Sequence, residues 1–153
     1  MRRAAAAGGY ACLLVALLGA WRLEASRYRP HRPLELDLAA RQSELCVALV
    51  GLGRAREGLK LCRRTRRAAP DSAQTHLALA IAYASQGRIL DAMAADREAI
   101  RLDPDFAAAH AHLGALLAEL GLLEEAVSEL RRGVEHPGVR EQLAEIERRL
   151  GRP

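Results

Sequence analysis

AAAHAHLGALLAELG, residues 107–121, is an apolar run that carries no proline and ends on glycine. Alanine and leucine lead the helix-propensity scale, and glycine readily takes the positive φ needed just past a helix C-terminus. The stretch predicts a helix over 107–120. Residues 123–134 predict a second helix, with Pro137-Gly138 as its stop, because proline cannot continue a helix. Ala126 places a small residue where the two helices of this hairpin would cross closely.

Working outward, the same unit recurs. Gly53, Gly87 and Gly121 stand 34 residues apart, and so do Pro70 and Pro104. Leu45, Leu79 and Leu113 share the interval, as do the small residues Gly58, Ala92 and Ala126. A fixed period of this length marks an array of stacked supersecondary units. In the middle copy, Asp71 or Ser72 is placed to cap the first helix and Gly87 ends it. A second helix is expected over 89–102, closed by Asp103-Pro104.

These units resemble tetratricopeptide repeats, which are helix–turn–helix units of 34 residues. The copies fall at 39–72, 73–106 and 107–140. The third has His110, Leu113-Gly114 and Leu117 in the family's large, Leu-Gly and Tyr columns; the second has His76, Leu79-Ala80 and Tyr83. The later Gly, Ala, Ala and Pro columns read Gly87, Ala92, Ala99 and Pro104. The first copy is the most divergent, with Gln42, Leu45-Cys46, Leu49, Gly53, Gly58, Thr65 and Pro70. Asp96 departs from a large apolar column and Gly133 from an alanine column, and both substitutions are expected to weaken packing. After Gly138, apolar residues at Val139, Leu143, Ile146 and Leu150 share one face of a helix over 139–150. Its other face is charged, as a solubilising terminal cap requires. The fold class is all-α: a solenoid of three repeats, a C-terminal capping helix and an N-terminal hydrophobic helix.

The resemblance implies a partner groove lined by the first helix of each repeat. Its residues would be Ser43, Val47 and Val50; Gln74, Leu77, Ile81 and Ser85; and Ala108, Ala111, Ala115, Ala118 and Glu119. This lining is small and apolar, and lacks the Lys and Asn residues of the carboxylate clamp in chaperone-binding members. It suits an amphipathic helix or an extended apolar peptide. The competing reading is that the alanines only permit tight stacking.

His76 and His110 share one repeat position, about a helix diameter apart at about 10 Å, too far for common metal ligation. Both read as packing residues, and no metal is expected. Cys46 and Cys62 fall on the two helices of the first repeat, at positions that pack inward in the family. They are either small buried residues or, in an oxidising compartment, a disulfide. No phosphate loop, HExxH or nucleophile beside a base occurs, so neither an enzyme nor a cofactor is expected.

Ahead of the repeats, Arg2 and Arg3 (residues 1–3) precede eighteen uncharged residues, 4–21. As a helix these span about 27 Å, against a hydrocarbon core of about 30 Å. A single-pass anchor and a cleaved secretory signal compete here; the anchor reading takes the length as its support. Arginines on both sides nearly balance the positive-inside count. The orientation adopted puts the domain on the outer side, with a secreted or cytoplasm-facing domain as alternatives. Residues 22–36 read as a linker, stiffened by Pro30 and Pro33 into extended chain.

The chain of 153 residues is half apolar yet only 3% aromatic. Residues 1–72 carry fourteen Lys and Arg against six Asp and Glu, whereas residues 73–153 carry nine against thirteen. Within the basic part, Arg54, Arg56, Lys60, Arg63, Arg64, Arg66 and Arg67 form a cluster that anionic lipid or polymer would attract. With so few aromatics to stack bases, nucleic acid is not expected. The function expected is a membrane-tethered scaffold for a protein or peptide partner. A structural subunit of an envelope assembly, or anionic lipid or polymer binding, are the alternatives.

Overall fold

Three near-identical turns set the architecture. In a computed structural model of the chain, which describes residues 32–151, Gly53, Gly87 and Gly121 have φ of 77°, 71° and 78°. Each donates its N–H to the carbonyl three residues back, at Val50, Ala84 and Ala118. The next N–H, of Arg54, Arg88 and Leu122, reaches five residues back to Leu49, Tyr83 and Leu117 at 2.9–3.0 Å. This is the Schellman closure, in which glycine satisfies the last carbonyls of a helix by turning left-handed.

The helices between the turns are α1 (Arg32–Gly51), α2 (Ala55–Ala68), α3 (Ala73–Ala84), α4 (Ile89–Leu102), α5 (Ala107–Glu119), α6 (Leu123–Arg132) and α7 (Val139–Arg149). No strand occurs among the described residues. From Glu35 onward they form one unit, in which α3 packs on α4, α5 on α6, and α7 on α6. The turn elements fall where the period puts them. Ser72 occupies the cap position of α3 in extended backbone, but its side chain makes no cap hydrogen bond. The helix α1 begins at Arg32, inside the 22–36 stretch expected to be extended. Pro33 sits in its first turn, where a missing N–H costs nothing because that donor has no intrahelical partner.

Packing inside each hairpin depends on small residues. Gly58, Ala92 and Ala126 are all buried at the crossing of the two helices. A Cβ on Gly58 would lie 2.8 Å from Val50 Cγ2 and 3.0 Å from the Cys46 carbonyl. Gly133, expected to weaken packing, instead permits it. A Cβ there would lie 2.7 Å from the Ala111 nitrogen and 2.9 Å from the Ala107 carbonyl, so α6 ends almost on the α5 backbone.

Two further columns meet within each hairpin: Cys46, Ala80 and Gly114 on the first helices, and Cys62, Asp96 and Leu130 on the second. All but Gly114 are 0% exposed, and Gly114 is itself buried. In the first repeat the pair is a disulfide, Cys46–Cys62, with Cα atoms 5.6 Å apart. In the third, Leu130 fills the space above Gly114, whose added Cβ would lie 2.7 Å from Leu130 Cγ. Leu130 shares a buried cluster with Ile146 and Val139 of α7, the helix that closes the array with its apolar face as expected.

One leucine of the Leu45, Leu79, Leu113 column behaves differently. Leu79 and Leu113 are each 4% exposed, whereas Leu45 is 54% exposed. Leu79 packs with Cys46 and Cys62 of the preceding hairpin, so this column faces the repeat before its own. For Leu45 no such repeat exists among the described residues. Leu38 and Leu52, seven residues to either side on α1 and just past it, are also exposed.

Candidate functional site

Spacing on α5 builds the site. Ala108, Ala111, His112 and Ala115 follow the i, i+3, i+4, i+7 pattern that lines one helix face. Leu77 and Ile81, four apart, do the same on α3. Together with His136 and Pro137 of the α6–α7 loop, and Val139 and Gln142 of α7, they enclose an open pocket of about 240 Å³. Drug-sized ligand pockets run to about 300–1,000 Å³, so this one suits a single side chain of a larger partner.

Five of the twelve groove residues expected from the repeat pattern meet in this pocket: Leu77, Ile81, Ala108, Ala111 and Ala115. Others lie elsewhere. Ser43 is fully buried, its hydroxyl donating to the Ala39 carbonyl at 2.8 Å, and cannot face a groove. Val50 presses on the Gly58 crossing, and Val47 packs with it against the Cys46–Cys62 cluster. Thus α1 spends these side chains on its own hairpin. Gln74 and Ala118 are half-buried outside the pocket, and Glu119 is exposed at the end of α5. Ser85 is exposed and donates to the Ala82 carbonyl at the end of α3. His112, His136, Pro137, Val139 and Gln142 were missed. Only the position of His112, one residue from Ala111 on the groove helix, could have signalled any of them.

Three histidines on the first helices, His76 on α3 and His110 and His112 on α5, differ in their bonding. His76 Nε2 meets the Pro70 carbonyl at 2.8 Å, and His110 Nε2 meets the Pro104 carbonyl at 3.0 Å. The repeated pair therefore ties each first helix to the proline that closes the preceding repeat. His110 Nδ1 also meets Glu129 Oε2 at 2.7 Å. The Pro104 carbonyl can only accept, so Nε2 is the donor there, and Glu129 lies against the other ring nitrogen.

His112 is bonded otherwise. Its Nδ1 lies 2.8 Å from Oδ2 of Asp96, across the junction between the second and third repeats. Asp96 stands in a column that is apolar in Leu130, and the hydrogen bond from His112 gives this carboxyl its partner. Its second oxygen, Oδ1, is buried with no protein partner. Burial pushes the Asp96 carboxyl above the usual carboxylate range, against the opposing pull of His112.

The basic cluster lies on α2 and the turn before it. Arg54, Arg56, Lys60, Arg63, Arg64, Arg66 and Arg67 are all exposed. Arg54 is engaged by Glu57 at 2.6–2.8 Å, and Arg63 stands 5.6 Å from the Tyr83 ring centre, with Arg88 at 4.3 Å. Among the described residues no group of three or more His, Cys, Asp or Glu is placed to hold a metal ion. No helix there is long and apolar enough to cross a membrane; the anchor or signal read in residues 4–21 lies outside the described residues.

Comparisons with known proteins fit this geometry. Residues 80–121 match the family model described as TPR repeat. No curated protein matches the chain. Among solved structures, the first TPR of Spaghetti (RPAP3) bound to the HSP90 peptide SRMEEVD is similar at 21% identity and TM-score 0.66, covering 74% of this chain and 93% of that one. The Sgt2 TPR domain from Aspergillus fumigatus is similar at 17% identity and TM-score 0.67, covering 74% and 79%. The Yersinia enterocolitica type III secretion chaperone SycD, in complex with a peptide of the translocator YopD, is similar at 17% and 0.63, covering 74% and 95%.

Proposed function

We propose that this array of tetratricopeptide repeats is a non-catalytic scaffold that holds a protein partner by one apolar side chain, and that residues 4–21 tether it to a membrane. The observation that carries the reading is the open pocket in which first helices of successive repeats, α3 and α5, present Leu77, Ile81, Ala108, Ala111 and Ala115 beside α7. An apolar surface left open between packed helices is an anchor site for a partner segment. Two of the similar structures hold a peptide, which supports the same class of partner here. The Cys46–Cys62 bond supports a domain on the oxidising side of the membrane.

A photo-crosslinking residue at Ala115 of the full chain tests the groove. Discrete protein adducts that vanish with Ala111→Glu are expected; adducts indifferent to that substitution would remove the groove from the reading. A tag after Pro153 tests the tether. Carbonate-resistant membrane association is expected, with the tag digested by protease added outside. A soluble, N-terminally shortened chain would replace the anchor with a cleaved signal.

A further inference from the structure

The geometry points to a proton-controlled grip in this pocket: we propose that the bound segment carries an acidic side chain next to its apolar anchor, and that His112 Nε2 donates to that carboxylate only when the Asp96–His112 pair has taken up a proton. The inference rests on the groove reading above and adds the partner's chemistry and its control.

His112 lines the pocket and keeps 22% of its side chain exposed. Its Nδ1 is held by Asp96 at 2.8 Å. The two nitrogens of an imidazole point away from each other, so this bond turns Nε2 from the repeat junction, and Nε2 has no protein partner among the described residues. Asp96 is 0% exposed, and its Oδ1 is unpartnered. A buried carboxylate with one bond cannot release that bond cheaply, so the ring is fixed in place.

The donor rules then settle what Nε2 does. When Asp96 is ionised and the ring neutral, the ring proton must sit on Nδ1 to serve the carboxylate, and Nε2 offers a lone pair. When one proton is added, two arrangements are possible. Either the ring is an imidazolium beside a carboxylate, or Asp96 donates to Nδ1 and the ring proton moves to Nε2. In both, Nε2 carries a proton. A single proton thus converts the pocket's polar edge from acceptor to donor, whichever residue holds it.

The surroundings leave this pair in control. α3 contributes Leu77 and Ile81, and α7 contributes Val139 and Gln142, so neither brings a charge to the pocket. On α6, Glu129 is engaged by His110. The α6–α7 loop carries two titratable groups: Glu135, exposed and outside the pocket lining, and His136, whose Nδ1 lies 3.1 Å from the Pro137 carbonyl at the exposed rim. The added proton both supplies this donor and cancels the net negative charge of the ionised Asp96–His112 pair, so the pocket, with room for one side chain, then favours an apolar residue flanked by Asp or Glu. One hydrogen bond suffices for such a side chain, whose second oxygen stays in water.

Random twelve-residue display peptides selected on the immobilised full chain at pH 5.5 and at pH 8.0 test the proposal. Peptides pairing an apolar residue with Asp or Glu are expected at pH 5.5, binding at least tenfold tighter there than at pH 8.0. His112→Gln should reduce that ratio below twofold, His136→Gln should preserve it, and Ala111→Glu, together with the less buried Ala108→Glu, should abolish binding at both pH values while keeping the parent circular dichroism spectrum. Amidated peptides distinguish an internal carboxylate, which they retain, from a C-terminal one, and loss of binding on amidation refutes the internal assignment. Peptides that need Ala111 but lack an acidic residue or the pH ratio overturn the grip and leave the groove standing. Peptides insensitive to Ala111→Glu, or no enrichment at either pH, overturn the groove itself. Nitrogen-15 spectra of the His112 ring give a readout without peptide: a neutral ring protonated on Nδ1 at pH 8.0 is expected, and the Nε2 tautomer there refutes the switch.

Discussion

Gly114→Ala puts the packing of the third hairpin to a quantitative test. The added Cβ would lie 2.7 Å from Leu130 Cγ, 2.9 Å from Leu130 Cδ2 and 3.2 Å from the Ala126 carbonyl. Leu130 is 0% exposed and closed in by Val139 and Ile146, so it has nowhere to retreat. Overpacking of this kind costs about 1–3 kcal/mol. Alanine recovers about 1 kcal/mol of helix propensity over glycine. The steric effect is the larger over most of that range, and a net loss of up to about 2 kcal/mol is expected from urea unfolding followed by circular dichroism. Gly51 supplies the control: nothing stands within 4 Å of its virtual Cβ, so Gly51→Ala should be neutral or stabilising. Leu130→Ala alone should cost about 2–5 kcal/mol, and clearly less when Gly114 is already alanine. A Gly114→Ala protein more stable than the parent, or a double variant whose losses simply add, would refute the close approach of α5 and α6.

Three more perturbations have defined outcomes. Reduction of Cys46–Cys62 opens a loop with a sequence separation of 16 residues and should cost about 3 kcal/mol, read as a lower urea midpoint in reductant; Cys46→Ala with Cys62→Ala should then be insensitive to reductant. Because the Asp96 carboxyl is raised by burial, the folded chain holds a proton there that the unfolded chain releases. Its contribution to stability is full below the ordinary carboxylate range and is lost as pH rises through the raised folded value, so Asp96→Asn should flatten the decline of stability measured from pH 4 upward. His110→Phe removes the ring that partners both the Pro104 carbonyl and Glu129, at about 1–3 kcal/mol. His76→Phe orphans only the Pro70 carbonyl and should cost less in the same unfolding assay.

What could be read from the sequence was whatever the 34-residue period carries. The glycine turns, the helix pairs, the small crossing residues and the capping face over Val139 to Leu150 all follow from local chemistry repeated in register. The candidate site was half legible for the same reason. Leu77, Ile81, Ala108, Ala111 and Ala115 follow from the repeated first helix, but α7 and the loop before it supply Val139, Gln142 and His136 from outside the repeat. Ser43 and Val50 were expected in the groove but are spent within the first hairpin, and no column records that. Asp96 was visible as a departure. Its partner was not, because sixteen residues and a helix boundary separate it from His112, and nothing local links them.

The paired columns within the three hairpins bear on how such a gene can change. Cys46–Cys62, Ala80–Asp96 and Gly114–Leu130 solve one packing problem by a covalent bond, a charged group bonded across to the next unit, and a leucine seated on a glycine. Unequal crossing-over between the coding units would separate these partners. Leu130 placed opposite Ala80 would meet a methyl where it now meets none, and Cys62 placed opposite Gly114 would lose its bond. The repeats share a plan but are not interchangeable, so exchanging their coding units would carry a cost in packing.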